Sequence, residues 1–237
     1  MQLVFLTTQT THHTHFVRQM QSHGDVAGCV LEVAGVEAPF EIGHEYLDKQ
    51  HTHEVCEFFG GVEHQIVDLT PAVLVSSIND PAAIEAVRAW QPDMTIAFGV
   101  RQLSVSTINR IPGIVLNLHG GDSEEYRGLD TLLWAIYHAD FGSLVATLHA
   151  VAPTLDTGDI VGRQRIPLRR GMLLHELRAA TTDVCIELVR DAVYSLKSSG
   201  ELNFTKQKKR GRYYSFMPSA LKDHVKCQFE KYTSTLA

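Results

Sequence analysis

Long apolar runs are missing from this 237-residue chain: nothing approaches the run of about twenty apolar residues that crosses a bilayer, so no transmembrane helix is expected. The amino terminus carries only Leu3-Val4-Phe5-Leu6, without a basic n-region or cleavage site. That reads as a strand rather than a signal peptide and points to the cytoplasm. Cysteine is sparse. Cys29, Cys56, Cys185 and Cys227 show no CxxC spacing, which argues against a disulfide framework or zinc knuckle and for reduced thiols. Positive charge is in deficit: a net −6 argues against nucleic acid as the main partner, because neutralising phosphates needs a basic surface. Glycine is missing from Thr7-Thr8-Gln9-Thr10-Thr11-His12-His13, so a phosphate cradle of backbone N–H groups after the first strand is unsupported. There is no internal repeat, low-complexity tract or clear linker.

What is present is ordinary globular material, 44% hydrophobic and 20% charged, long enough for a full core and one or two domains. Residues 2–7 and Val26–Val33 read as strands, with a helix starting near Thr11 or Thr14 between them. His44–Phe59 has helical spacing with Leu47, Val55, Phe58 and Phe59 as its expected inner face. Ile66–Leu69 and Val73–Val75 are short strand candidates. Asp80 and Pro81 open a helix through Trp90, and Met94–Phe98 and Ile114–Asn117 are buried strands. Leu144–Ala150 and Ile160–Pro167 are expected to pair antiparallel. Met172–Leu196 is a long helical pattern, and Pro218–Tyr232 is an amphipathic segment. Strands alternating with helices predict an α/β, Rossmann-like, mostly parallel twisted sheet with flanking helices, binding ligands at the carboxyl ends of its strands. Residues 1–200 are the expected catalytic domain and 201–237 a C-terminal extension.

The chemistry concentrates between Asn117 and Ile160. Asn117 and His119 stand two apart at the end of an apolar strand and so share one face. Asp156 follows in a Leu-Asp-Thr-Gly turn. An amide donor, an imidazole and a carboxylate suit acyl transfer with a stabilised oxyanion. No Ser or Cys nucleophile accompanies them, which favours direct attack by the acceptor over a covalent acyl-enzyme.

Asn117-Leu118-His119, Tyr126-Arg127-Gly128, Asp156-Thr157-Gly158, the tryptophan-bearing helix between them and the Thr-Leu-His strand ending at His149 occur in an order that resembles the folate-dependent formyltransferases. Ala97-Phe98-Gly99-Val100-Arg101-Gln102-Leu103 looks like that family's folate-binding loop. The resemblance is concentrated in residues 93–162. It implies 10-formyltetrahydrofolate as co-substrate, with Asn117, His119 and Asp156 catalytic. It further implies that Val100, Arg101, Gln102 and Leu103 on one side, and Val151, Thr154 and Leu155 on the other, hold the folate through their backbone. Tyr126 and Arg127 are acceptor-side candidates, Arg127 alternatively fixing its loop by an ion pair. His149 is expected to support the Asp156 loop. One stretch departs from the family pattern. Gly120-Gly121-Asp122-Ser123-Glu124-Glu125 replaces a Ser-Leu-Leu-Pro-like segment, and is either a solvated loop or a grip on a cationic or polyhydroxylated acceptor.

Methionyl-tRNA formyltransferases carry a basic C-terminal domain not expected here, and the glycine-free first loop argues against glycinamide ribonucleotide. Tyr213–Pro218 resembles the tails of enzymes that formylate nucleotide-linked amino sugars, which makes such a sugar the expected acceptor. Another small amine, or a non-catalytic folate-binding domain, are the alternatives. The run Lys206–Arg212 beside Tyr213 and Tyr214 reads either as a solvated edge or as a nucleotide diphosphate grip using Lys208 and Tyr213. His12 and His13 follow the first strand and are carried as acceptor-binding candidates. The histidine clusters, including His51-Thr52-His53 with Cys56, lack the paired spacing of a zinc site, and no metal is expected. Neither a nucleic-acid nor a membrane partner is expected; a homodimer stays open.

Overall fold

Strand β1 (Gln2–Thr7) is buried on both faces, with Leu3 and Phe5 packing on one side and Val4 and Leu6 on the other. A strand buried twice over sits in the middle of a sheet covered by helices. A computed structural model describing residues 1–237 shows that arrangement. After β1 come α1 (Thr11–Met20), β2 (Asp25–Glu32), α2 (Glu45–Phe59), β3 (Ala72–Val75), α3 (Pro81–Trp90), β4 (Met94–Phe98) and the short α4 (Val105–Ile108). Then follow β5 (Ile114–His119), β6 (Tyr126–Gly128), α5 (Thr131–Tyr137), β7 (Val145–Ala150), β8 (Ile160–Arg165), α6 (Leu177–Ser199), β9 (Arg212–Tyr214) and α7 (Ser219–Ser234). The main sheet has seven strands in the order β3-β2-β1-β4-β5-β7-β8, parallel through β5 and antiparallel at β7 and β8.

That order places the site. The chain runs outward from β1 to β2 and β3, then returns across β1 to β4 and β5. The loops after β1 and β4 therefore diverge and leave a crevice at the carboxyl ends of the strands. On one face Phe5 meets Phe16 edge-on at 5.2 Å beneath α1 and α6. The other face packs Val4, Leu6, Val30 and Ala97 against Ala83 and Val87 of α3. A third cluster joins Ile136 of α5, Leu177 of α6, and Val225 and Phe229 of α7. Residues 201–237 thus contribute side chains to a core shared with earlier elements.

Several expected elements differ in detail. Ile66–Asp68 is a 3₁₀ turn, not a strand; Ile66 is buried, and its N–H is taken by the Gln9 side chain at 3.0 Å rather than by a ladder. The inner face of α2 is Tyr46, Gln50, Glu54, Val55 and Phe59, with Leu47 and Phe58 only half-buried. Polar Gln50 and Glu54 turn inward because Arg178 of α6 donates to both Glu54 oxygens, at 2.6 and 2.8 Å. Asp130 stands at the head of α5 in a left-handed conformation, but its carboxylate accepts from Met217 N (2.8 Å) instead of capping the helix. The two-stranded parallel sheet of β6 and β9 has no local sequence signal. No helix is long and apolar enough to cross a membrane.

Candidate functional site

On β5, Leu116 and Leu118 turn into the α1–α6 core, which sends Asn117 and His119 to the opposite face. The antiparallel partner β7 repeats the alternation: Ala146 and Leu148 join the core, and His149 stands directly across from Asn117. Asp156 arrives from the β7–β8 connection. Asn117 Nδ2 lies 3.2 Å from His149 Nε2 and donates to Asp156 Oδ1 at 3.3 Å. His119 Nδ1 is 3.7 Å from Asp156 Oδ2, and His149 Nε2 is 3.5 Å from Oδ1. The structure therefore brings Asn117, His119 and Asp156 together, with His149 as a fourth member.

The protons can be placed from the acceptors. His119 Nε2 donates to the Tyr126 carbonyl (2.8 Å) and His149 Nδ1 to the Ala150 carbonyl (2.8 Å). Those bonds leave His119 Nδ1 facing the carboxylate and His149 Nε2 facing both the amide and the carboxylate; Nε2 accepts from Asn117 in the neutral ring and donates to Asp156 in the protonated one. Burial alone would push the Asp156 carboxyl up. The His119 charge, the His149 hydrogen bond and the N–H donated by Gly128 (2.9 Å) outweigh it and hold the group at about 2. Asp156 is thus a buried carboxylate, ionised throughout the neutral range.

The Asp156 loop is tight. Asp156 has φ 54°, the left-handed region. Gly158 runs so close to β7 that a Cβ would lie 1.7 Å from the Ala150 carbonyl oxygen, which only glycine allows. Buried Arg127 donates from Nε to Gly211 O (2.6 Å) and from Nη1 to Leu155 O (3.1 Å). It ties the loop to the C-terminal segment through carbonyls, where the sequence reading offered an ion pair. Gly121 is pinned beneath the site by Thr147, whose hydroxyl donates to its carbonyl at 2.8 Å.

Asn117, His119, His149 and Asp156 line a cavity of about 450 Å³. Val100, Arg101, Gln102 and Leu103 form one wall, with Val151, Ala152 and Leu155 opposite, and Tyr213 and Phe216 from the C-terminal segment at another side. Thr154 is exposed and outside the wall. Some backbone groups of this wall are already engaged: Glu32 accepts from Arg101 N (3.0 Å) and Asn79 donates to Gln102 O (3.0 Å). Gln102 Nε2 joins the two loops beside the cavity by donating to exposed Pro153 O at 2.7 Å.

The acceptor-side candidates scatter. His12 and His13 lie buried in α1, outside the cavity wall, His13 packed 4.4 Å from the Phe98 ring. Burial, with the Arg178 charge, lowers the His13 imidazole to about 3, and burial also depresses His12. Tyr126 stacks on Tyr214 at 5.4 Å, away from the wall, and contributes only its carbonyl to His119. Lys208 is exposed and outside the wall, while Tyr213 lines it. The acidic stretch meets the basic tail: Glu124 accepts from Lys208 N at 2.5 Å and Glu125 pairs with Lys209. Arg163 bridges Asp122 and Glu124, each at 3.1 Å. Neither a solvated loop nor an acceptor grip had anticipated these intramolecular pairs. Glu32 and Gln207 were overlooked. The only signal for Glu32 was a lone acid at the end of an apolar strand; Gln207 carried none.

The arrangement is an amide, two imidazoles and an ionised carboxylate in a half-enclosed cavity, a set able to stabilise an oxyanion and move a proton. The formyltransferase PseJ from Anoxybacillus kamchatkensis, solved with UDP-4,6-dideoxy-4-formamido-L-AltNAc and tetrahydrofolate, is 15% identical with a TM-score of 0.53, over 95% of this chain and 90% of that one. An N-formyltransferase from Helicobacter canadensis, solved with folinic acid and dTDP-3-aminofucose, is 13% identical with a TM-score of 0.60, over 91% and 71%. HypX from Aquifex aeolicus matches 99% of this chain at 16% identity and a TM-score of 0.57, but the match spans only 34% of HypX. At such identities the likeness is one of fold. The sequence profile of the formyl transferase family matches residues 1–193, most of the chain. This protein belongs to the formyl transferase family.

Proposed function

We propose that the chain transfers a formyl group from 10-formyltetrahydrofolate to the amine of a nucleotide-linked amino sugar. The observation that carries the reading is the convergence of Asn117, His119 and Asp156 on one cavity walled by residues 100–103 and by Val151, Ala152 and Leu155. The cavity's size and its mixed apolar and backbone-polar walls suit a pterin. The two solved formyltransferases that hold folates and nucleotide sugars support the donor and acceptor classes.

The acceptor nitrogen attacks the formyl carbon, a C–N bond forms, and the carbonyl electrons move onto oxygen. The Asn117 amide donates to that oxygen. One of its N–H groups keeps the 3.2 Å contact with His149, and the other leaves a long 3.3 Å contact with Asp156 to reach the oxygen. The nitrogen's proton passes to the coupled His119–Asp156 pair and on to the departing folate nitrogen as its bond to the formyl carbon breaks. Residues 1–200 do the chemistry, and the extension 201–237 contributes Tyr213 to the cavity.

The test is mass spectrometry after incubating the protein with 10-formyltetrahydrofolate and a set of nucleotide-linked amino sugars, dTDP-3-aminofucose among them. Gain of one formyl group on a sugar is the expected result. Formylation only of non-sugar amines overturns the acceptor half. Folate binding without formyl transfer to any amine overturns the catalytic half.

A further inference from the structure

Asp156 is a non-glycine residue held at φ 54°, a backbone conformation that persists only where the surroundings impose it. Its side chain is fixed by His119, His149 and the Gly128 N–H. Its backbone is fixed by a residue from the other end of the chain. Gln207 Nε2 donates to Asp156 O at 3.0 Å and to Gly158 O at 2.8 Å, so one amide spans the turn. Gln207 is itself held. Two residues before it, Thr205 exchanges both backbone hydrogen bonds with Ile160 at 2.8 Å each. The next residue, Lys208, donates its N–H to Glu124 at 2.5 Å. Gln207 also lies beyond residues 1–193, the part matching the family profile.

We propose that Gln207 is a positioning residue, clamping the Asp156 turn so that its carboxylate stays within reach of His119 and His149. The inference rests on the catalytic role of Asp156 for its effect on turnover, but not for its effect on the carboxylate itself. A side chain without N–H donors at position 207 leaves both carbonyls unpaired, and a carboxylate there sets acceptor against acceptor. In either case the turn relaxes and the Asp156 carboxylate drifts from its partners.

The experiment uses the full chain as wild type, Gln207→Met, Gln207→Glu, Asp156→Asn and Asn203→Ala, an exposed control on the same segment. Thermal unfolding reports the fold, and ¹³C NMR follows the Asp156 carboxyl titration, assigned by its loss in Asp156→Asn. Steady-state kinetics with 10-formyltetrahydrofolate and the nucleotide-linked amine turned over in the acceptor screen gives kcat and KM. Both Gln207 variants should titrate Asp156 about one pH unit or more above wild type, because the charged form loses its partners. Their kcat should fall about tenfold with the donor KM nearly unchanged, since a mispositioned carboxylate affects the transition state more than donor binding. Asn203→Ala should match wild type. An unmoved titration in whichever Gln207 variant retains the wild-type fold overturns the proposal, and so does failure of both to fold, which would make the residue structural. Wild-type turnover in Asp156→Asn would instead overturn the catalytic reading, while the titration would still decide the clamp.

Discussion

Asn117 faces His149 across the antiparallel β5–β7 pair, its amide nitrogen 3.2 Å from the imidazole Nε2. The imidazole is oriented from behind, because its Nδ1 donates to the Ala150 carbonyl at 2.8 Å. A fixed acceptor on one side of a side-chain amide determines which way its oxygen and nitrogen point. His149 therefore sets the direction in which Asn117 donates. His149→Ala should lower kcat about tenfold with little change in donor KM, and His149→Gln should recover part of it by restoring an acceptor. Equal loss in both variants would count against orientation as the cause.

Direct effects on the chemistry should be larger. Asn117→Ala, His119→Asn and Asp156→Asn should each reduce turnover about a hundredfold or more, the range seen when an oxyanion donor or proton carrier is removed. Thermal unfolding should show each variant folded. Near-normal turnover in all three would remove the site from contention.

The Asp156 carboxyl also links stability to pH. Its folded value is lowered from 3.8 to about 2. A group depressed on folding stabilises the protein above its unfolded value, and that stability is lost as pH falls through the folded value. The contribution is about 2 kcal/mol. In urea titrations, the stability gap between wild type and Asp156→Asn should be widest at neutral pH and narrow between about pH 4 and pH 2. A gap that stays constant over that window would show that the ion contacts do not stabilise the charged form.

Backbone recognition makes the Gln102 side chain dispensable, yet it ties the 100–103 loop to the β7–β8 connection by donating to Pro153 O at 2.7 Å. Gln102→Ala should raise the KM for 10-formyltetrahydrofolate severalfold while leaving the acceptor KM alone. Leu103→Pro, the natural probe of a backbone donor, is less informative here. Leu103 is buried in the α3-side core, so losing its side chain perturbs the fold as well.

At the C-terminal segment, Tyr213 lines the cavity while Lys208 and Lys209 sit against Glu124 and Glu125. Tyr213→Ala should raise the acceptor KM about tenfold, the loss expected from one stacking contact of roughly 1–3 kcal/mol. Lys208→Ala should have a smaller, salt-dependent effect. Acceptor kinetics unchanged in both would place the nucleotide elsewhere.

Much of the architecture was legible because it is written locally. The short, almost wholly buried apolar runs of β1 and β4, a threonine cap ahead of α1, and Pro81 opening α3 act within a few residues. Asn117 and His119 were legible as a pair because a strand places alternate residues on one face. Polar contacts across the fold were not. Gln50 and Glu54 turn α2 inward only because Arg178 is there to meet them, and Ile66–Asp68 forms no strand because its pairing donor is spent on Gln9.

The sequence by itself determined the α/β alternation, the strand that carries Asn117 and His119, and the glycine that lets the Asp156 turn pass β7. Its periodicities and steric demands act over short range. Tertiary structure alone decided that His149 would face Asn117, that the acidic stretch would meet the basic one and Arg163, and that Gln207 would reach Asp156. Those contacts depend on strand register and on the C-terminal segment docking beside β6. No local pattern encodes them, because each contact exists only once elements far apart in the chain have packed.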